Sequence, residues 1–288
     1  MPEPRIIYDF GSNNGDDIPY YLQKADKVVA VEANPSLVAQ IVSRFSRDIA
    51  AQKLIVEHCV LTVDDIDGTV PFYVHKSNHV LSQFPRPDRS ILEEFEEITI
   101  SSRNVVNIIE QHGPPFYTKI DLENYDQFIL MELFRKNIRP KFVSAESHSI
   151  DVFALLVSLG YTSFNLVNGA TVQAEYANHP IMTENGRRLL YTFPYQSAGP
   201  FGEDIKGPWM TPDNFFRRLA FEQLGWKDIH ATNEITPDPA VAADAARFLR
   251  KEMMLQGKYM LRTHAPVVFK ALKTLRWWRQ RIINRSGT

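Results

Sequence analysis

The chain has 288 residues, of which 44% are apolar, 11% aromatic and 23% charged. This composition excludes disorder as the dominant state and supplies a core for one large domain or two small ones. The lone cysteine, Cys59, excludes an internal disulfide and a cysteine zinc cluster, no apolar run nears the roughly 18 residues of a membrane span, and a net charge of −2 gives nucleic acid no global attraction.

The first residues hold no secretory-signal pattern, so a cytoplasmic protein is expected. Charge is unevenly placed. After Glu252 there are eight basic residues and no acidic one, which leaves 24 basic against 34 acidic residues before it. The tail, 267–285, mixes Trp277, Trp278 and spaced apolar residues with Lys and Arg. A helix lying on an anionic membrane, contact with an acidic partner, docking on this or a second copy of the chain, and a solvated terminal helix all stay open for it.

Strand-like and helix-like stretches alternate from the start. Residues 5–10 (RIIYDF) read as a buried strand running into a Gly/Asn turn and a helix over 17–24. Residues 27–32 (KVVAVE) form a second strand. Asn34-Pro35 ends it, and Ser36 is placed to cap one helix over 37–50. A third strand is expected over 53–61, and extra strands over 68–75 and 97–102 flank a polar loop at 76–90. A helix follows over 104–111, then a fourth strand (116–122), a helix (126–137), a fifth strand (141–146) and a helix (151–159). Residues 161–167 and 189–194 are expected to close the sheet as a pair. From about 197 loop chemistry gives way to helices over 212–224 and 239–255. Strands spaced by helices argue a mostly parallel sheet with right-handed crossovers. The expected division is a sheet domain over 1–196 and a loop-rich, helical extension over 197–288.

Ligands of open α/β sheets sit beyond the carboxyl ends of the strands. The first strand ends in Asp9-Phe10-Gly11-Ser12-Asn13-Asn14-Gly15, a turn without GxGxxG spacing. Asp16 and Asp17 then stand where a pyrophosphate would be repelled, so a cationic ligand suits this rim better. Glu32, at the second strand's end, can accept hydrogen bonds from ribose hydroxyls. Asp121 and Glu123 follow the fourth strand, and Glu146 and His148 the fifth, so four acid/base groups converge on one rim. Such a crevice fits S-adenosylmethionine, a sulfonium and ammonium cation on an adenosine.

The runs YDFGSNNG, VVAVEANP, DGTVPFYVH, YTKIDLENYD and FVSAE, followed by LGYTSF, resemble in order and spacing the FkbM family of class I methyltransferases across about residues 5–195. The resemblance implies a Rossmann-like fold with a seven-stranded, mostly parallel sheet and one antiparallel strand. It also implies methyl transfer from S-adenosylmethionine to oxygen, often on sugars or natural products. By that resemblance Asp9, Gly11, Asn13 and Gly15 line the methionine side of the cofactor and Glu32 holds the ribose. Cys59, Val60 and Leu61 border the adenine. Asp121 and Glu123 match an Asp-x-Glu-Gly pattern, with Asn124 in place of its glycine, and Glu146 matches the glutamate ending the fifth strand.

Asp121 is the first candidate for the base, with Glu146 and His148 as alternatives. Glu123, His79 and Ser82 are the expected acceptor contacts, the last two from the long loop. A metal held by Asp121, Glu146 and His148 is chemically possible, but the spacing is no recognised ligand signature, so no metal ligand is assigned and metal use is left open. The expected partner is a small-molecule or glycan acceptor, with no nucleic acid, and a homo-oligomer is left open. A scaffold that binds the cofactor without turnover, and a nucleotide-dependent oxidoreductase, are the rival readings.

Overall fold

The computed structural model describes residues 3–64 and 68–238, with positions 241, 253, 254, 257, 260 and 262–266. The basic tail over 267–285 lies outside the described residues, as does most of the helix expected over 239–255. Two compact units divide the chain: Met1–Phe215 with Leu224–Asp238, and Phe216–Gln223 with Pro239–Thr288. No helix among the described residues is long and apolar enough to cross a membrane.

The strands are β1 Ile6–Phe10, β2 Lys27–Glu32, β3 Leu54–His58, β4 Val60–Thr62, β5 Gly68–His75, β6 Phe95–Asn104, β7 Tyr117–Ile120, β8 Phe142–Ser147, β9 Ser163–Asn168, β10 His179–Met182, β11 Arg188–Tyr191 and β12 Gly225–Thr232. The helices are α1 Ile18–Lys24, α2 Pro35–Arg44, α3 Ser46–Ala50, α4 Val105–His112, α5 Asp126–Arg135, α6 Ile150–Ser158, α7 Val172–Glu175 and α8 Pro212–Glu222.

Seven strands form the main sheet in the order β3-β2-β1-β7-β8-β12-β9. Only β12 runs antiparallel, between β8 and β9. This is the mostly parallel, Rossmann-like arrangement that the resemblance implies. Every residue of β1 is buried, as is all of β2 except Lys27, because helical crossovers cover both faces. From β1 the chain winds outward to β2 and β3, then returns to β7 on the other side. The reversal between β1 and β7 opens a crevice at their carboxyl ends, and the turns carrying the acidic residues meet there.

Three expectations need correction. The long third strand is two, split at Cys59, because β4 leaves the main sheet to pair with β6 in a separate β4-β6-β5 sheet. The helix over 37–50 is also two, broken at Phe45, and its cap is Asn34, whose side chain accepts from Ser36 N, rather than Ser36. The partner of β9 is β12, whereas β11 pairs with β10 in a hairpin of its own. The sheet therefore draws its seventh strand from beyond residue 196, where the extension was expected to begin. In β12 the stretch IHAT is buried from both sides, and its lysine and aspartate at 227 and 228 obscured the strand pattern.

The segment from about 197 reads as loop but supplies core, together with Phe193 just before it. Phe193, Phe201, Ile205 and Trp209 join Ile18, Tyr20 and Tyr21 of α1 in one apolar core cluster. The Phe201 ring stacks on Tyr117, with centroids 4.0 Å apart. The Tyr20 hydroxyl donates to Asp204 Oδ2 at 2.8 Å, and Lys24 Nζ reaches the same oxygen at 2.7 Å. Aromatic burial of this kind anchors an irregular segment without ladder hydrogen bonds.

Candidate functional site

Gly11 begins the turn after β1 with φ of 81°, and a Cβ there would lie 1.9 Å from the Asp121 carbonyl oxygen. Only glycine lets the β1 and β7 ends approach this closely. Asp121 N donates to Phe10 O at 3.0 Å, while Gly11 N and Ser12 N both donate to Val31 O. The three strand ends are thus tied together through backbone.

Two side chains fix the turn. Glu32 accepts from Asn13 N through Oε2 at 2.8 Å and from Asn34 N through Oε1 at 2.7 Å. Burial pushes its carboxyl up to about 7 against the pull of those donors. Lys119, buried in β7, donates to Gly11 O at 2.8 Å and lies 3.1 Å from Asp121 and 3.6 Å from Asp9. Burial opposes its charge, but Asp121, Asp9, Asp17 and Asp228 hold it well above the usual lysine range.

On one side of the turn lies a cleft of about 670 Å³, its mouth included. Gly11, Asn13 and Glu32 form one wall, and Leu37, Cys59, Val60, Leu61 and Phe72 a second, largely apolar one. His79, Val80, Ser82, Gln83 and Phe84 border it from the long loop, and Asp121 to Glu123 with Tyr125 from the β7 end. Phe84 and Tyr125 meet edge to face at 5.1 Å. An apolar slot with a carboxylate at one end has the chemistry of a nucleoside site. Asn13 Oδ1 is buried in the turn without a hydrogen-bond partner. Such an orphaned acceptor, beside Glu32, fits a ligand that donates hydrogen bonds.

On the other side a second chamber spans about 1030 Å³, again with its mouth. Asn13, Val80, Asp121 and Glu123 border both spaces. The rest of its wall is rich in charge, with Asp16, Asp17, Glu146 and His148 beside Lys119, and Trp226 adds an aromatic face. Asp17 accepts from the Ser197 hydroxyl and from Ala198 N, and burial pushes it up to about 6. Asp16 is already paired with Arg44 at 2.6 Å. Glu146 Oε2 lies 2.9 Å from His148 Nε2. Pairing with Glu146 lifts the imidazole to about 9 despite its burial. Burial first, then Asp121 and Glu146, pushes Glu123 up to about 8. Glu123 and Asn124 have φ of 45° and 72°. Asn124 thus adopts the left-handed turn that a glycine would otherwise supply.

Most expected site residues meet at this rim. Gly11, Glu32, Cys59 and Val60 border the first cleft, Glu146 and His148 the second, and Asn13, Asp121 and Glu123 both. Four stand elsewhere than expected. Asp9 is 1% exposed, packed beside Lys119, and borders neither space. Gly15 faces Ile18, Ile41 and Phe45 and makes room for helix packing. His79 and Ser82 border the first cleft, while Val80 and Leu81 of the same loop border the second. Sequence reasoning missed Lys119, a charge inside an apolar strand, and Tyr125. Trp209 is core, and Trp226 stands 40% exposed in the chamber wall, its ring against Gly169.

No family model and no curated protein matches the chain. Among solved structures it is similar to the methyltransferase FkbM from Methylobacillus flagellatus KT, at 13% identity and a TM-score of 0.40, over 58% of this chain and 40% of that one. It is similar to a precorrin-6y C5,15-methyltransferase from Geobacter metallireducens GS-15 at 10% identity and a TM-score of 0.34, over 80% and 81% of the two chains. It is also similar to the StiE O-MT segment, at 9% identity and a TM-score of 0.34, over 86% and 75%. Likenesses this distant carry no argument about activity; the fold rests on the strand order described above.

Proposed function

We propose that the protein is an S-adenosylmethionine-dependent O-methyltransferase of the FkbM kind, acting on a hydroxyl of a sugar, glycan or natural product. The observation that carries this reading is the rim shared by the two spaces: Asn13, Asp121 and Glu123 line both the largely apolar cleft beside Glu32 and the chamber rich in acidic groups. Bound in the cleft, the cofactor supplies a methyl group already activated on a sulfonium.

Glu32 receives the ribose hydroxyls, since each carboxylate oxygen keeps a lone pair beyond its backbone donor. The apolar wall at Val60 and Leu61 takes the adenine. The acidic rim favours a cation over a phosphate chain, and Asn13 Oδ1 accepts from the ammonium group. In the second chamber Glu146 and His148 steady the acceptor. The acceptor oxygen forms its bond to the methyl carbon as the carbon–sulfur bond breaks, and the sulfur leaves as a neutral thioether. The hydroxyl proton passes to Asp121, which lies at the junction. Lys119 holds that carboxylate and the turn beside it in register, so the protein's main contribution is positioning.

Calorimetry with S-adenosylhomocysteine, followed by transfer of labelled methyl from S-adenosylmethionine to a panel of sugars and phenolic or polyketide alcohols, tests the reading. Binding with transfer to a hydroxyl supports it. Binding without transfer to any acceptor favours the scaffold alternative, and preferential binding of NAD ends the assignment.

A further inference from the structure

The second chamber holds a set of donors that simple positioning of an acceptor does not require. His148 Nε2 lies 2.9 Å from Glu146 Oε2 and 3.9 Å from Glu123 Oε2. One ligand atom from each of the three residues falls within 4.8 Å of the others. Neighbouring ligands on a first-row cation with bonds near ~2.1 Å stand roughly 3 Å apart, and opposed ligands roughly 4 Å. The donors come from two strand ends that the sheet fixes. Glu123 sits on the left-handed turn after β7. Glu146 is buried near the end of β8, and Ser147 Oγ pins that end to Gly225 O at 2.8 Å.

A separate observation points to a missing positive charge. Asp126, in the first turn of α5, is 2% exposed, and neither of its carboxylate oxygens has a hydrogen-bond partner. It bears on His148 and Glu123 electrostatically. Asp228 of β12, also buried, stands directly opposite Glu146 in the sheet register. Cations near these groups include Lys119, committed to Gly11 O and Asp121, Arg44, paired with Asp16, and His148 itself. Buried carboxylates in this excess are costly unless a cation joins them.

We infer that Glu123, Glu146 and His148 together hold a divalent transition-metal cation, of the manganese or zinc class, in the second chamber. The imidazole nitrogen disfavours calcium and magnesium, which prefer all-oxygen shells, and two carboxylates with one imidazole suit manganese or zinc. Three protein ligands leave positions for the acceptor, so the cation grips adjacent oxygens of the acceptor and holds one of them towards the rim at Asp121. That role deepens the methyl-transfer reading and rests on it; the cation site itself stands on the donor geometry.

The test uses the full chain freed of metal with EDTA and titrated with manganese chloride, following the electron paramagnetic resonance signal of free Mn2+. The expected result is uptake of one equivalent. Glu123→Gln and His148→Ala each weaken it by about 100-fold and Asp126→Asn by about tenfold, the scale on which lost ligands and outer partners act. Asp16→Asn, which removes a chamber carboxylate outside the trio, leaves it within about twofold, since distant outer groups add little. No uptake at millimolar manganese overturns the inference and leaves Glu146–His148 an ion pair. Equal weakening by Asp16→Asn and His148→Ala also overturns it, as diffuse acidity. A parallel titration with S-adenosylhomocysteine in EDTA separates the two claims. Cofactor binding without manganese uptake fails the cation alone, and manganese uptake without cofactor binding fails the methyl-transfer reading alone.

Discussion

The two spaces flanking the Gly11 turn bury carboxylates in opposite ways. In the first cleft Glu32 is the buried carboxylate, and each of its oxygens is met by a backbone N–H. In the second, Asp121, Glu123 and Glu146 crowd together, backed by Asp126, whose oxygens meet no donor. Burial pushes Glu32 up on one side and Glu123 and Asp126 on the other, yet backbone donors answer it at Glu32, whereas Glu123 and Asp126 face chiefly other carboxylates and His148. A carboxylate held by backbone is suited to binding, because its geometry is set before the ligand arrives. Carboxylates left to one another favour whatever positive charge or proton enters, which is the setting for chemistry.

Substitutions can break this contrast, and the largest effect is expected at the residue that ties the Gly11 turn to Asp121. Lys119→Met removes the cation shared by Gly11 O, Asp9 and Asp121. A loss of about 3–5 kcal/mol is expected in denaturant unfolding, as for one partner stripped from a buried pair. Asp121→Ala should act on one side only. Methyl transfer falls by on the order of 100-fold or more, the range of a positioned base, while cofactor affinity by calorimetry stays near wild type. Glu32→Gln should do the reverse. It weakens cofactor binding by about 10- to 100-fold, the scale of hydrogen bonds to a charged group, and leaves turnover at saturation close to normal.

The contrast also has a pH signature. The pKa of Glu32 rises from 4.5 to about 7 and that of Asp17 from 3.8 to about 6, both chiefly through burial. The folded state therefore binds protons more tightly than the unfolded one. Stability from these groups is complete below the unfolded values and lost as pH climbs through the folded ones. Lys119 pulls both the other way, as do Asn13 N and Asn34 N for Glu32, and Ser197 and Ala198 N for Asp17, whereas Asp9 adds to the rise at Asp17. The melting temperature of the ligand-free protein is expected to fall between about pH 5 and pH 7.5, and Glu32→Gln should flatten that slope. The smallest effect is expected from Trp226→Ala. Losing an aromatic wall worth about 0.5–1.5 kcal/mol raises the acceptor KM by roughly 3- to 10-fold and leaves cofactor affinity unchanged.

Much of the rim was legible because its signals are local. A glycine turn after YDF, an acid ending VVAVE and the run KIDLEN each announce a strand end within a few residues. The same locality misled elsewhere. Asp9 looks like a turn residue in the sequence, but it borders neither space and is buried beside Lys119. His79 and Ser82 belong to a long loop whose path depends on β5 and β6, and no neighbouring residue indicates which cleft it will cover. Pairing across a sheet is the least legible of all, since a strand's partner depends on packing and not on its own residues. Residues 189–194 offered a plausible closing strand, and only the tertiary structure shows 225–232 in that position.

The late seventh strand has a consequence for how the chain is made. During synthesis β8 and β9 emerge with the slot between them vacant, and β12 follows more than fifty residues after Asn168. At about 5–20 residues per second the ribosome takes several seconds to deliver it. Throughout that interval the nascent sheet presents two unpaired strand edges where the finished molecule has a continuous ladder, and such edges recruit strands from other chains. Translation speed across residues 169–225 therefore sets how long each new copy stays open to its neighbours on the polysome.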